Sequence, residues 1–246
     1  WQSGEQGTGE PDAGELPEED VVAEGGFQAA TIWVPVVGKM DARPFFPAAL
    51  VLSLLWSMCM IRLQSSVEME LFGASWKHNW LFLCVYAGTI GCMAFTALSS
   101  PGMLDAELCR KWQAGEMSVP KRAHKHWLYK RPILRFHQYC RWITNAIGLA
   151  NHRQYIMMLV GLAVISVMDF LVDLVLVFGY LFSGAFFSEL MLMMHLAYSA
   201  YFAYYTVPLL RQHAGFVARN ELTQEYKRDD HYVVCDEESG ETIHVN

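Results

Sequence analysis

The chain has 246 residues, of which 53% are hydrophobic and 17% charged, and its formal net charge is −7. An average soluble domain carries roughly 25% charged residues, so this balance, with 14 Phe, 13 Met, 11 Tyr and 8 Trp, excludes a disordered chain, a coiled coil and a disulfide scaffold. It points to one all-α integral membrane domain flanked by polar segments, and the acidity argues against nucleic acid as a partner.

Residues 1–38 form an acidic tail with eight Asp or Glu and no Lys or Arg. The rest of the chain carries 18 basic and 17 acidic side chains, so the net acidity belongs to this tail. The Gly-, Glu- and Pro-rich stretch 1–26 is expected to be extended or weakly ordered, because it cannot bury enough apolar surface to offset its chain entropy. The apolar run 31–37 is expected to lie against a partner, a membrane surface or its own protein. The first residue is Trp, and a targeting peptide removed upstream is one explanation.

Four hydrophobic spans follow, Phe45–Leu63, Asn79–Leu98, Tyr155–Phe182 and Phe186–Leu210. Each is near or above the roughly 20 residues that cross a bilayer core as a helix. Pro47 falls in the first turn of the first span, where its missing N–H costs little. Gln64–His78 and Ser183–Ala185 are expected as short connections. A four-helix membrane domain over 39–210 results, with a loop at 101–153 between the second and third spans. That loop holds ten basic residues, from Arg110 to Arg153, against three acids, Asp105, Glu107 and Glu116. The positive-inside rule places it, and with four spans both termini, on the cytosolic, matrix or stromal side.

Ionisable groups inside spans are costly and usually face protein or water. Asp169 and Asp173 share one face of the third span. One reading is an ion or proton path or a buried subunit contact. The other places Asp173 near the far interface, with Asp169 open between the two. Glu189 is expected at the N-terminal end of span four, where negative charge is favoured. His195 is expected to pair locally. The polar segment 211–246 opens with Arg211, Arg219, Lys227 and Arg228 and ends in acids. Within it, 232–234 and 242–245 read as short extended pieces.

The loop reads Pro120-Lys-Arg122-Ala-His124 and then Phe136-His-Gln-Tyr-Cys140-Arg-Trp142, followed by Asn145, Gly148 and Asn151. With Ser100-Pro101-Gly102 after span two and Leu222-Thr223-Gln224-Glu225 after span four, this resembles the DHHC-type protein S-acyltransferases, or palmitoyltransferases. The resemblance covers about 45–226 and keeps the family spacing from Pro120 to Asn151 without a gap. It implies four transmembrane helices around the loop. It also implies two zinc ions held at the positions of Trp112, Gly115, Lys125, His126, Tyr129, Pro132, Gln138 and Ala146. Only His126 among these can ligate a metal, so neither family zinc site is expected as built. An intact family loop needs seven Cys, and the whole chain has six.

The family's catalytic motif corresponds to His137-Gln138-Tyr139-Cys140. Its Asp is replaced by His137 and its second His by Tyr139, while Cys140 keeps the position of the nucleophile. If the chain is active, His137 is expected to serve as base to Cys140 from one helical turn away. His124, His126, His137 and Cys140 together are zinc-competent donors, but scattered loop histidines are the preferred reading. No cofactor is expected, whereas bound structural lipids are. The resulting reading is a non-catalytic DHHC-fold protein acting as an accessory subunit of a larger membrane complex, with an organellar energy-converting complex as one host. Its partners would be lipids and other membrane subunits, reached through its spans and tails. The alternative is an active S-acyltransferase using Cys140.

Overall fold

The computed structural model describes residues 31–34, 38–41, 45–73, 78–126, 128–180, 185–228, 232–235 and 242–245. Two compact units are present, Trp1–Ala42 and Arg43–Asn246. In the first, β1 (Thr31–Val34) pairs antiparallel with β2 (Gly38–Asp41), with Thr31 opposite Asp41 and Val34 opposite Gly38. Part of the apolar run at 31–37 is therefore a strand, as its β-branched Thr31, Ile32 and Val34 favour. The expectation for 1–26 lies outside the described residues.

The second unit contains four long helices, α1 (Phe45–Phe72), α2 (His78–Leu98), α4 (His152–Tyr180) and α5 (Phe186–Ala218). Between α2 and α4 lie the short helix α3 (Ala106–Gln113) and a hairpin of β3 (Gln138–Cys140) and β4 (Asn145–Ile147). Helix α6 (Thr223–Arg228) follows α5. The two C-terminal extended pieces, β5 (Tyr232–Cys235) and β6 (Thr242–Val245), pair with each other antiparallel.

Helices α1, α2 and α4 are long and apolar enough to cross a membrane. Helix α5, the expected fourth span, has the length for it. Glu189, His195 and the tyrosines at 198, 201, 204 and 205 make it less apolar than the other three. The connection expected from Gln64 is not a loop at that point. Helix α1 continues to Phe72, and Gln64, Val67 and Glu68 of the expected connection are buried inside the bundle. Helix α5 likewise runs past Leu210 and carries His213 and Phe216 into contact with the loop.

The main core joins Leu54 of α1, Tyr86 of α2 and Met158 and Leu162 of α4 to Cys140, Ile143 and Ile147 of the loop. A second cluster, of Val67, Leu176, Tyr180 and Leu192, closes the opposite end of the bundle. Two glycines set close approaches. A Cβ at Gly161 would overlap the Thr89 hydroxyl, so glycine lets α4 meet α2. A Cβ at Gly148 would overlap the Pro101 carbonyl and Ile133, so glycine lets the segment after β4 close on the turn that follows α2.

Candidate functional site

Helix α3 opens on a side-chain cap, with the Asp105 carboxylate accepting from the Glu107 N–H at 2.9 Å. Two asparagines then fix the hairpin. Asn145 donates to the Thr96 and Ser99 carbonyls at 2.7 and 2.8 Å, satisfying groups at the end of α2 that lack helical partners. Asn151 accepts from the Gly148 N–H at 2.9 Å and donates to the Ala146 carbonyl at 2.9 Å. Arg122 forms a two-pronged ion pair with Glu225 and also donates to the Asn220 carbonyl, tying the loop to the segment after α5.

Cys140 ends β3 with 9% exposure, packed into the main core. Burial pushes its thiol up, while the backbone N–H groups of Ile143 and Trp142 oppose that shift. The expected His137–Cys140 pairing does not form. The segment is a strand rather than a helical turn, and side chains three apart on a strand leave on opposite faces. His137 instead faces the end of α5 and the start of α6, with Nε2 2.9 Å from His213 Nδ1 and the Thr223 N–H 3.3 Å from Nδ1. The Thr223 hydroxyl also lies 3.0 Å from Nε2, so both ring nitrogens of His137 are engaged by α5 and α6. Burial first, then the neighbouring His152 and His213, hold His137 down to about 3.

Tyr139, at the position of the expected second histidine, stacks on His126 with centroids 5.4 Å apart and planes 13° apart. The rings of His124 and His126 lie 5.3 and 5.6 Å from Phe136. His124 and His126 thus share the Phe136 ring, whereas His137 faces His213 and Cys140 is packed in the main core. No group of three or more His, Cys, Asp or Glu that could hold a metal occurs among the described residues.

The eight positions the family would use for zinc carry other interactions. Lys125 lies 5.9 Å over the Trp112 ring. The Tyr129 hydroxyl donates to Asn145 and accepts from the Ala146 N–H, and Gln138 donates to the Tyr155 hydroxyl at 2.8 Å. Structural zinc takes four thiolate, imidazole or carboxylate donors. A set containing Trp, Gly, Lys, Tyr, Pro, Gln and Ala with one His does not fit two such ions.

A second polar cluster occupies the middle of the bundle. Asp169 accepts from Ser57 at 2.9 Å and from the Tyr86 hydroxyl at 2.5 Å. Asp173 accepts from Gln64 Nε2 at 2.8 Å, lies 2.7 Å from His195 Nδ1, and accepts from Ser199 at 3.3 Å. His195 Nε2 lies 2.7 Å from Ser57 Oγ and completes the chain. The Asp173 carboxylate is fully buried among α1, α4 and α5, enclosed by Gln64 of α1 and by His195 and Ser199 of α5. His195 pairs locally, as expected, and Glu189 lies in the first turn of α5. Ser57, His195 and Asp173 have the connectivity of a nucleophile, base and orienting acid. At 1%, 0% and 0% exposure, however, they leave no approach for a substrate carbonyl.

Sequence reasoning missed Ser57, Gln64 and Tyr86, isolated polar groups in apolar runs with no spacing that ties them to Asp169 or Asp173. It also missed His152, Tyr155 and His213 around His137. Thr223 was visible only as part of the motif after the fourth span.

Comparison with known proteins agrees with this arrangement. Residues 105–230 match a family model described as DHHC palmitoyltransferase. Among curated proteins, a palmitoyltransferase, pfa3, from Aspergillus fumigatus is 28% identical over 99 residues, which is 40% of this chain and 17% of that protein. The chain thus covers about a sixth of the length of the curated relative it matches.

Proposed function

This chain belongs to the DHHC palmitoyltransferase family, and we propose that it uses the family's membrane domain without the family's acyl transfer, as an accessory subunit of a larger membrane assembly. The observation that carries this reading is the setting of Cys140. The thiol is buried in the main core, and the nearest histidine in the chain, His137, is engaged with His213 and Thr223 instead. A thiol raised by burial is a poor nucleophile at neutral pH without an oriented base. Tyr139, where the base would be, is stacked on His126. We also propose that the loop folds without zinc, since aromatic packing and hydrogen bonds occupy the positions of the absent ligands.

Within the same reading α5 crosses the bilayer as a fourth span. It packs along α4, and its polar His195 and Ser199 are turned inward onto Asp173. The loop and both termini then share the cytosolic, matrix or stromal side, and the exposed apolar faces of the spans meet lipid or other subunits. An organellar energy-converting complex is the first host to test. The test is the size of the native assembly, followed with an antibody to the chain through mild detergent and blue-native electrophoresis. The reading expects a discrete complex far above 28.0 kDa, with fixed co-migrating subunits. A band at the mass of the chain alone in its micelle would contradict it.

A further inference from the structure

We propose that a groove at the loop end of the bundle is a binding site for one anionic phospholipid. The groove, of about 370 Å³, lies between the start of α4, the end of α5 and the segments around Arg135 and Gly148. This volume is within the range of small-ligand sites. Arg135, His152 and Arg153 supply its polar side, Ile156, Met157 and Val217 line its apolar side, and no carboxylate lines it. The first turn of α4 contains no acid, so its partial positive charge adds to that of the two arginines. Arg135 is held at the rim by donating to the Asn220 side-chain oxygen at 2.7 Å.

A basic mouth and apolar walls alone would suit many amphiphiles. Continuity with the span selects a membrane lipid. From Met157 at the groove, a row of exposed apolar side chains runs down α4 through Val160, Val164, Met168 and Leu171. Their spacing of three or four residues keeps them on one helix face. At 1.5 Å per residue the row is about 21 Å long, more than the ~15 Å of one leaflet's hydrocarbon. A headgroup phosphate held by Arg135 and Arg153 would therefore leave its acyl chain lying along this row. Basic pockets between membrane helices recognise anionic headgroups by the same charge complementarity. The inference does not depend on whether Cys140 takes part in acyl transfer.

The test uses the full chain in neutral detergent, titrated separately with phosphatidylglycerol and phosphatidylcholine and read by native mass spectrometry. One phosphatidylglycerol should be retained with an apparent Kd about tenfold or more below that of phosphatidylcholine. Arg153→Gln, at an exposed position, should weaken phosphatidylglycerol by about fivefold, and Arg135→Gln with Arg153→Gln by near thirtyfold. Phosphatidylcholine binding should stay unchanged, which also reports that the variants are folded. Equal retention of the two lipids, or an unchanged preference in Arg153→Gln, would overturn the proposal. So would competition by inorganic phosphate as effective as that by phosphatidylglycerol, since the row along α4 would then contribute nothing.

Discussion

Replacing Asp173 with Ala probes the polar cluster that joins the helices. The carboxylate is 0% exposed and takes part in hydrogen bonds with Gln64, His195 and Ser199 at 2.8, 2.7 and 3.3 Å. Hydrogen bonds between membrane helices average about 0.6 kcal/mol, so three amount to about 2 kcal/mol. Truncation also leaves the Gln64 amide and the His195 ring buried without their acceptor, at a cost of about 1–3 kcal/mol. The expected loss is about 3–5 kcal/mol. At about 2–4 °C per kcal/mol for a unit of this size, the Tm should fall by about 10 °C. Asp173→Asn keeps one acceptor oxygen and the volume, and should lose about half as much. Thermal unfolding in detergent, followed by tryptophan fluorescence, measures both. Ser57→Ala, made alone and with Asp173→Ala, should be non-additive, because both residues flank His195. A fall below about 3 °C for Asp173→Ala, or strict additivity of the pair, would refute the view that this cluster holds the bundle together.

Three further outcomes follow from the loop. His137 is held below its ordinary value, so its contribution to stability is complete above the unfolded pKa of 6.5 and is lost as pH falls toward about 3. Between pH 7.5 and 5 that loss is about 2 kcal/mol, seen as a lower Tm that His137→Gln makes less pH-dependent; a Tm rising on acidification would contradict it. Arg122→Ala removes a partly buried two-pronged pair, with side chains 23% and 6% exposed, and should cost about 2–3 kcal/mol. Hydrogen exchange at 219–228 should speed up, and Arg122→Lys should not restore protection because lysine lacks the planar fork. A strong zinc chelator should leave the Tm within about 1 °C, whereas loss of a structural zinc would melt the loop.

The spans and the loop register were legible in the sequence because both rest on local signals. Apolar run length set α2 and α4 to within a few residues, and the order of Arg122, Cys140, Asn145, Asn151 and Glu225 matched a known pattern. The ion pair between Arg122 and Glu225 joins two of these motif residues, but only the structure shows that they meet. What was not legible depended on tertiary context. The polar end of α1 is helical because Gln64 meets Asp173, a pairing across 109 positions that no local pattern encodes. The burial of Asp173 is set by α1 and α5, which counting residues along one span from Tyr155 does not reveal. The proposed roles of His137 and Cys140 assumed helical spacing, and the short strand at 138–140 reversed the relation between them.

The central claim, that this member of the family keeps the fold without the acyl transfer, is tested most directly at Cys140. The full chain in lipid is incubated with an alkyne-bearing long-chain acyl-CoA, and thioester formation is read by hydroxylamine-sensitive labelling and mass spectrometry. The account predicts no adduct on Cys140 above that of Cys140→Ser. A near-stoichiometric, hydroxylamine-labile adduct that disappears in Cys140→Ser would contradict it.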